Sequence, residues 1–306
     1  MKVTRIFIIT VLFSKVYAQS NMEVLEEYRD QLCTILVNAS NSIDDYFIEG
    51  NLTNIKSKTY AKLSTSVAME ANQKFEKDMR LRLRLNLPKI QQNLRIIFED
   101  ENNDNTFYDR TTLNNEKLRD KSYYLRLEYL RLVKKKFNLG LGLGLRVRQG
   151  NLVPYLNFRS RFDVFKDETF KSVFRNRFRY YSDGEIEDIF EFNNLYIFDS
   201  SLYTILRNQL SYSNKDSYER AYHDLSLIKK LRDKKKLSVG MGVRSSLVNF
   251  KHYNVTYYHV HTLYHHLFYK NWLYYQVAPS VLWRRENNFN VSYRLMLNLG
   301  IMFNNS

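Results

Sequence analysis

The chain has 306 residues, with 47 Lys+Arg against 32 Asp+Glu, a formal charge of +15 and a pI near 9.6. A mean hydropathy of −0.48, with no run after the N-terminus near the ~20 apolar residues a spanning helix needs, excludes a helical membrane protein. The single cysteine, Cys33, excludes an internal disulfide framework and a Cys-rich zinc site.

Lys2 and Arg5 precede an apolar run over 6–13, and Val16-Tyr17-Ala18 supplies a cleavage site. This predicts a secretory signal peptide over residues 1–18. No cysteine follows the cut, which argues against a lipid anchor. Its removal takes away Lys2, Arg5 and Lys15 and no acid, so +15 falls by three. Export in turn argues against a nucleic-acid partner, despite the basic pI.

Residues 19–56 form a segment of helical character, with a periplasmic helix expected over 20–48. Ser20 and Glu23 have capping-box spacing. Leu25, Tyr28, Leu32, Ile35, Ala39 and Tyr46 make one apolar stripe. The stripe fits a short coiled coil, a helix docking a periplasmic partner, a barrel plug, or a helix capping its own domain. Cys33 lies beside it and reads as a small buried apolar residue.

From about residue 60 the period changes to two. Met79, Leu81, Leu83, Leu85 and Leu87 alternate with Arg80, Arg82, Arg84 and Asn86. A helix would scatter these arginines around its circumference, whereas a strand puts them on one face. Phe137 to Val147 alternates with Asn138, three glycines and Arg146. Leu152, Leu156, Phe158 and Phe162 oppose Tyr155, Asn157, Arg159 and Arg161, and Phe174, Phe178 and Tyr180 oppose Arg175, Arg177 and Arg179. Further on, Leu237 to Val243 opposes Ser238, Gly240, Gly242 and Arg244. Phe289 to Phe303 opposes Asn290, Ser292, Arg294 and Asn298. Turn signals such as Gln149-Gly150-Asn151 and Ser182-Asp183-Gly184-Glu185 separate the runs.

These runs predict strands near 60–70, 79–87, 92–99, 122–133, 137–148, 152–165, 168–181, 186–198, 202–212, 218–230, 237–248, 252–268, 272–285 and 289–303, about 14, or 12 if the weakest pair fails. A sandwich would bury the apolar face against a second sheet; a transmembrane barrel turns it to lipid and the polar face to the lumen. Strand length, hairpin connections and aromatics near strand ends (Tyr180, Tyr181, Tyr269, Trp272, Trp283) favour the barrel. The expected fold is therefore all-β, an up-and-down antiparallel transmembrane β-barrel over 57–303, with a tail at 304–306. With a periplasmic start, 100–121 is a long outer loop, and 88–91, 134–136, 166–167 and 270–271 are periplasmic turns.

The signal peptide, the alternating strands and the last segment together resemble Gram-negative outer-membrane β-barrel proteins, over roughly residues 57–303. The resemblance implies a cell outer-membrane location, outer-membrane lipid around the barrel and folding by the barrel assembly machinery. Tyr293, Leu295, Leu297, Leu299, Ile301 and Phe303 look like the assembly signal that machinery reads. The run Arg82-Leu83-Arg84-Leu85-Asn86-Leu87-Pro88, followed by Leu94-Arg95-Ile96-Ile97-Phe98, is similar to uncharacterised proteobacterial members and carries no activity to transfer.

The sequence offers few chemical leads. No Ser/His/acid constellation stands out, and His223 beside Asp224 has no nucleophile at strand spacing. An outer-membrane hydrolase is thus a minor alternative to a non-enzyme, and no cofactor is expected. His259, His261 and His265 share a strand face, but positions 259 and 265 stand about 20 Å apart along a strand. His259 and His261 remain weak metal candidates, in need of a ligand from a neighbouring strand. The principal candidates are the arginines that alternation turns inward: Arg80, Arg82, Arg84, Arg146, Arg159, Arg161, Arg175, Arg177, Arg179, Arg244 and Arg294. They make either the cationic wall of a passive, anion-leaning channel or one half of a lumen-filling network with Glu70, Glu128, Asp163, Glu187 and Glu191. A structural barrel, or a protein that docks a periplasmic partner through helix 20–48, are the other readings.

Overall fold

The computed structural model describes residues 23–39, 59–71, 73, 75–86, 95–100, 122–134, 136–148, 150–215, 219–248 and 252–304. The expected signal peptide, residues 40–56 of the helical segment, the 88–91 turn, nearly all of the 100–121 stretch and the last two tail residues lie outside the described residues.

Fourteen antiparallel strands close into one barrel. They are β1 (Tyr60–Glu70), β2 (Glu76–Asn86), β3 (Arg95–Asp100), β4 (Ser122–Lys134), β5 (Phe137–Arg148), β6 (Asn151–Lys166) and β7 (Phe170–Tyr181), followed by β8 (Ile186–Ile197), β9 (Leu202–Ser213), β10 (Glu219–Arg232), β11 (Lys235–Val248), β12 (His252–Tyr269), β13 (Leu273–Arg284) and β14 (Val291–Asn304). Each strand pairs with its sequence neighbours, and β1 pairs with β14 from Tyr60↔Asn304 to Glu70↔Arg294. All fourteen expected strands are present. Their ends move by a few residues: β2 starts at Glu76 rather than 79, and β3 starts at Arg95 rather than 92.

The period-two pattern sorts the side chains by chemistry. In β2, Met79 is 61% exposed while the adjacent Arg80 is 9% exposed. In β5, Leu141, Leu143 and Leu145 stand exposed on the outside, and Arg146 is buried within. The same outward apolar set recurs around the circle in Leu156, Phe190, Leu225, Met241, Val260 and Leu299. A band of exposed leucines and aromatics that encircles a polar interior is stable only against lipid. Apart from β3, with 6 residues, the strands run from 11 to 18 residues, enough to cross a hydrocarbon layer that needs about 9–11.

A helix, α1 (23–39), lies outside the barrel at the rim where β1 begins and β14 ends. Cys33 packs with Ala61 of β1 and Phe303 of β14, and Leu36 joins Leu63, Leu83 and Ile301 on the same surface. Arg29 Nε donates to the Met302 carbonyl at 3.4 Å, and its guanidinium sits 5.7 Å from the centre of the Trp272 ring. Glu26 pairs with Lys270 and accepts from the Tyr269 hydroxyl at 3.2 Å. The Lys270 ammonium beside Glu26 holds its carboxyl below the usual range.

One alternative for this segment needs correction. Residues 23–39 are on the outer surface, so a plug inside the lumen is not what this helix forms. The apolar stripe is uncovered, with Leu25, Tyr28, Leu32 and Ile35 exposed, and Cys33, buried as expected, makes the contact together with Leu36. A heptad count finds an apolar face but not which of two apolar faces meets the barrel.

Candidate functional site: the inner wall of the barrel

The inner face carries the arginines that alternation assigns to it. Arg80, Arg146, Arg177, Arg179 and Arg294 are buried, and Arg82, Arg84, Arg159, Arg161, Arg175 and Arg244 are half-buried. Three more, Arg126, Arg207 and Arg284, are also buried on this face. The same alternation marks them, since Leu125 and Leu127 flank Arg126 and point outward.

The carboxylates that face them are in ion-pairing reach. Arg179 Nη1 lies 2.9 Å from Glu187, Arg175 Nη1 4.0 Å from Glu191, and Arg161 Nε 2.9 Å from Asp163. Arg159 Nη1 is 3.7 Å from Glu128 and Arg146 Nη2 is 2.6 Å from Glu185. Arg80 pairs with Asp78, two residues away on its own strand. Arg207 Nη1 is 3.2 Å from Asp224. At the closing seam Glu70 receives Arg284 Nε at 2.7 Å and Arg294 Nη1 at 3.0 Å, and Arg294 also reaches Glu76 at 3.0 Å.

The direction of these pairs matters more than their number. Arg179–Glu187, Arg207–Asp224 and Arg294–Glu70 join residues of adjacent strands. Arg159–Glu128 and Arg284–Glu70 each skip a single strand. These pairs therefore run along the wall and not across the bore.

Glycines in the inner face give long side chains room to lie flat. Gly144 of β5 is in register with Tyr155 of β6, and a Cβ on it would meet the Tyr155 ring at 2.3 Å. With that space free, Tyr155 reaches Tyr124 of β4 edge-on, with ring centres 5.9 Å apart, and Tyr181 of β7 at 5.3 Å. Arg146 and Arg179 lie 3.9 Å and 4.3 Å from the Tyr181 and Tyr124 ring centres. Gly300 serves Tyr274 in the same way. Gly144→Ala is expected to destabilise the barrel by about 1–3 kcal/mol, the usual cost of overpacking. Its urea midpoint should fall, with an altered near-ultraviolet tyrosine spectrum; an unchanged spectrum would argue that the ring does not rest on the glycine.

The histidines divide. His223 points to the outer face, where its Nδ1 is 2.8 Å from Asn208 Oδ1. His259 and His261 are buried on the inner face beside Asp224 of β10, two strands away. His265 lies further along β12 against Tyr274. Asp224 is the partner that spacing along one strand does not assign to them. Ser226 is also close, with its Oγ 3.5 Å from His261 Nε2, but its hydroxyl donates to Asp224 Oδ1 at 2.7 Å and is fully buried. A serine whose proton is committed to the acid is not arranged as the nucleophile of a hydrolase.

In β14, Tyr293, Leu297 and Leu299 are exposed on the outer face, with Leu295 and Ile301 in the same alternation. Phe303, the last of the six, is covered by Cys33 and Leu36 of α1.

No protein-family model matches the chain, and no curated protein matches it. Among solved structures, the chain is similar to the outer-membrane channel DcaP of Acinetobacter baumannii, at 8% identity over 84% of this chain and 100% of that one, with a TM-score of 0.47. It is also similar to a bacterial polysaccharide outer-membrane secretin, at 10% identity over 83% and 100% of the two chains and a TM-score of 0.46. The outer-membrane protein OmpT of Vibrio cholerae matches at 8% identity over 82% and 100%, with a TM-score of 0.44. The closed antiparallel strand circle and its apolar outer face make this chain a membrane-spanning β-barrel.

Proposed function

We propose that the protein is a passive, anion-leaning channel of a Gram-negative outer membrane. The observation that carries this reading is the lateral course of the arginine–carboxylate pairs. The charge pairs described above join residues on one strand, on adjacent strands or one strand further on, so they run along the wall, and fourteen arginines of the described residues face inward. Such a wall lowers the energy of an anion in transit relative to a cation. Pairing neutralises much of the wall, so the expected preference is modest.

The test is planar-bilayer conductance of the refolded protein, with reversal potentials in a KCl gradient. Discrete open steps with chloride preferred over potassium are expected, and Arg82→Glu with Arg177→Glu should weaken or reverse that preference. Deleting residues 23–39 should leave the conductance in place, because α1 lies outside the bore. A correctly folded barrel that passes no current would overturn the channel and leave a structural barrel as the function.

The second reading is docking through α1. Leu25, Tyr28, Leu32 and Ile35 remain uncovered on the helix. Their stripe borders the barrel's own lipid-facing surface, so the bilayer interface is the occupant that its position favours over a periplasmic protein.

A further inference from the structure

We propose that Asp224, His259 and His261 form a binding site for one divalent transition-metal ion in the barrel wall. The site is independent of the channel reading. It is made by a gap in the strand between its ligands. Across the sheet, Asp224 of β10 is in register with Gly242 of β11, and Gly242 with His259 of β12. The next inward row is Ser226, Gly240 and His261. Neighbouring strands stand about 4.8 Å apart, so β10 and β12 side chains are normally separated by the β11 side chain between them. Here that side chain is missing twice. A Cβ on Gly242 would stand 2.5 Å from His259 Cε1, and one on Gly240 would stand 2.7 Å from His261 Cε1. The imidazoles occupy the room the glycines leave and meet the carboxylate from two strands away.

The donor atoms converge and are not otherwise engaged. Asp224 Oδ2 lies 3.5 Å from His259 Nε2 and 3.7 Å from His261 Nδ1. The three ligand atoms all fall within 4.8 Å of one another. Tetrahedral zinc with bonds of about 2.0–2.1 Å sets its ligand atoms roughly 3.3–3.4 Å apart, so the two carboxylate–imidazole distances need to close by only a few tenths of an ångström. Asp224, His259 and His261 are each no more than 2% exposed. Asp224 Oδ2, His261 Nδ1 and both ring nitrogens of His259 make no hydrogen bond outside the cluster. Buried polar atoms of this kind are rare without a partner, and here four of them belong to one three-residue cluster.

The surroundings orient the ligands as a metal site requires. Arg207 and Ser226 both donate to Asp224 Oδ1, at 3.2 and 2.7 Å, which fixes the carboxylate and leaves Oδ2 for the ion. Tyr222 stacks on the His259 ring with centres 5.9 Å apart, and His261 stacks on its neighbour at 5.3 Å. Two imidazoles and one carboxylate select zinc, copper or nickel over calcium or magnesium, which prefer all-oxygen shells. Three protein ligands leave a fourth position for water or a solute.

The test uses the full-length barrel folded in detergent and stripped with a chelator. Zinc titrated by calorimetry is expected to bind at one ion per chain, and cobalt in its place to give the intense visible absorption of a four-coordinate site. Asp224→Asn, His259→Gln and His261→Gln should each weaken zinc binding by at least about 100-fold, more than a supporting residue alone would cost. Gly242→Ala should do the same without removing a ligand. His223→Gln and His266→Gln, outside the cluster, should bind as the parent does. Heat-modifiable gel migration reports folding of each variant. Absence of zinc and cobalt binding in the parent barrel would overturn the proposal, as would parent-like affinity in the folded His259→Gln and His261→Gln variants.

Discussion

Glu70→Ala is expected to lower barrel stability by about 3–5 kcal/mol, the cost of breaking a buried ion pair from one side. Glu70 ends β1 on the seam that closes the circle, and its carboxylate gathers three strands. Oε1 accepts from Arg284 Nε at 2.7 Å and from the Ser292 hydroxyl at 3.3 Å; Oε2 accepts from Arg284 Nη2 at 2.9 Å and from Arg294 Nη1 at 3.0 Å. The Arg284 contact is bidentate, the geometry in which guanidinium–carboxylate pairing is strongest. Removing the acid leaves two buried guanidiniums facing each other at the joint between first and last strand. Glu70→Gln keeps the shape and some acceptor capacity, so its loss should be smaller. Urea titration of the folded barrel in vesicles reads both. Equal midpoints for Glu70→Ala and the parent would show that the seam is held by its backbone ladder alone.

The fold is legible in the sequence because one rule, alternation, acts on every strand. Leu81 beside Arg82, or Leu143 beside Gly144, assigns a face to each residue once the segment is read as a strand, and lipid outside with charge inside then decides between sandwich and barrel. The lateral pairing is legible only in part. Alternation identifies Glu187 and Glu191 as inward acids, but which arginine each meets depends on register, and register is fixed between strands. Arg179↔Glu187 and Arg175↔Glu191 are directly opposed in β7 and β8. Glu128 and Arg159 meet across β5.

The metal cluster is hidden from the sequence for the same reason. His259 and His261 are visible as a face of β12, yet their third ligand is on β10, and only the register of Gly242 with both strands brings Asp224 to them. Alternation assigns the glycines of β11 to its polar face and stops there. Their use is to admit side chains from the strands on either side, which no property of β11 alone reveals. The helix is the opposite case: its stripe is plain in the sequence, but which of its faces meets Ala61 and Phe303 is set by the barrel surface.

Arg179→Met is expected to cost about 3–5 kcal/mol by itself, and the double variant Arg179→Met/Glu187→Met to recover most of that loss. Arg179 is fully buried, 2.9 Å from Glu187 and 4.3 Å from the centre of the Tyr124 ring. The Tyr181 hydroxyl, at 3.1 Å, holds the same Glu187 oxygen. Removing the guanidinium alone takes from Glu187 its 2.9 Å partner and leaves it the Tyr181 hydroxyl and the attraction of Arg177, among tyrosine rings where its solvation is poor. Removing both charges leaves two flexible thioethers to fill the space, at the smaller cost of lost aromatic–cation contacts. A double-mutant cycle therefore separates two quantities that a single variant confounds: the cost of a buried charge that has lost its nearest partner and the net worth of the pair. If the pair is retained for what the lumen must do, the double variant will be nearly as stable as the parent yet less selective for chloride. If the two single losses add in the double variant, the charges act independently, and the lateral network is not the unit that shapes the wall.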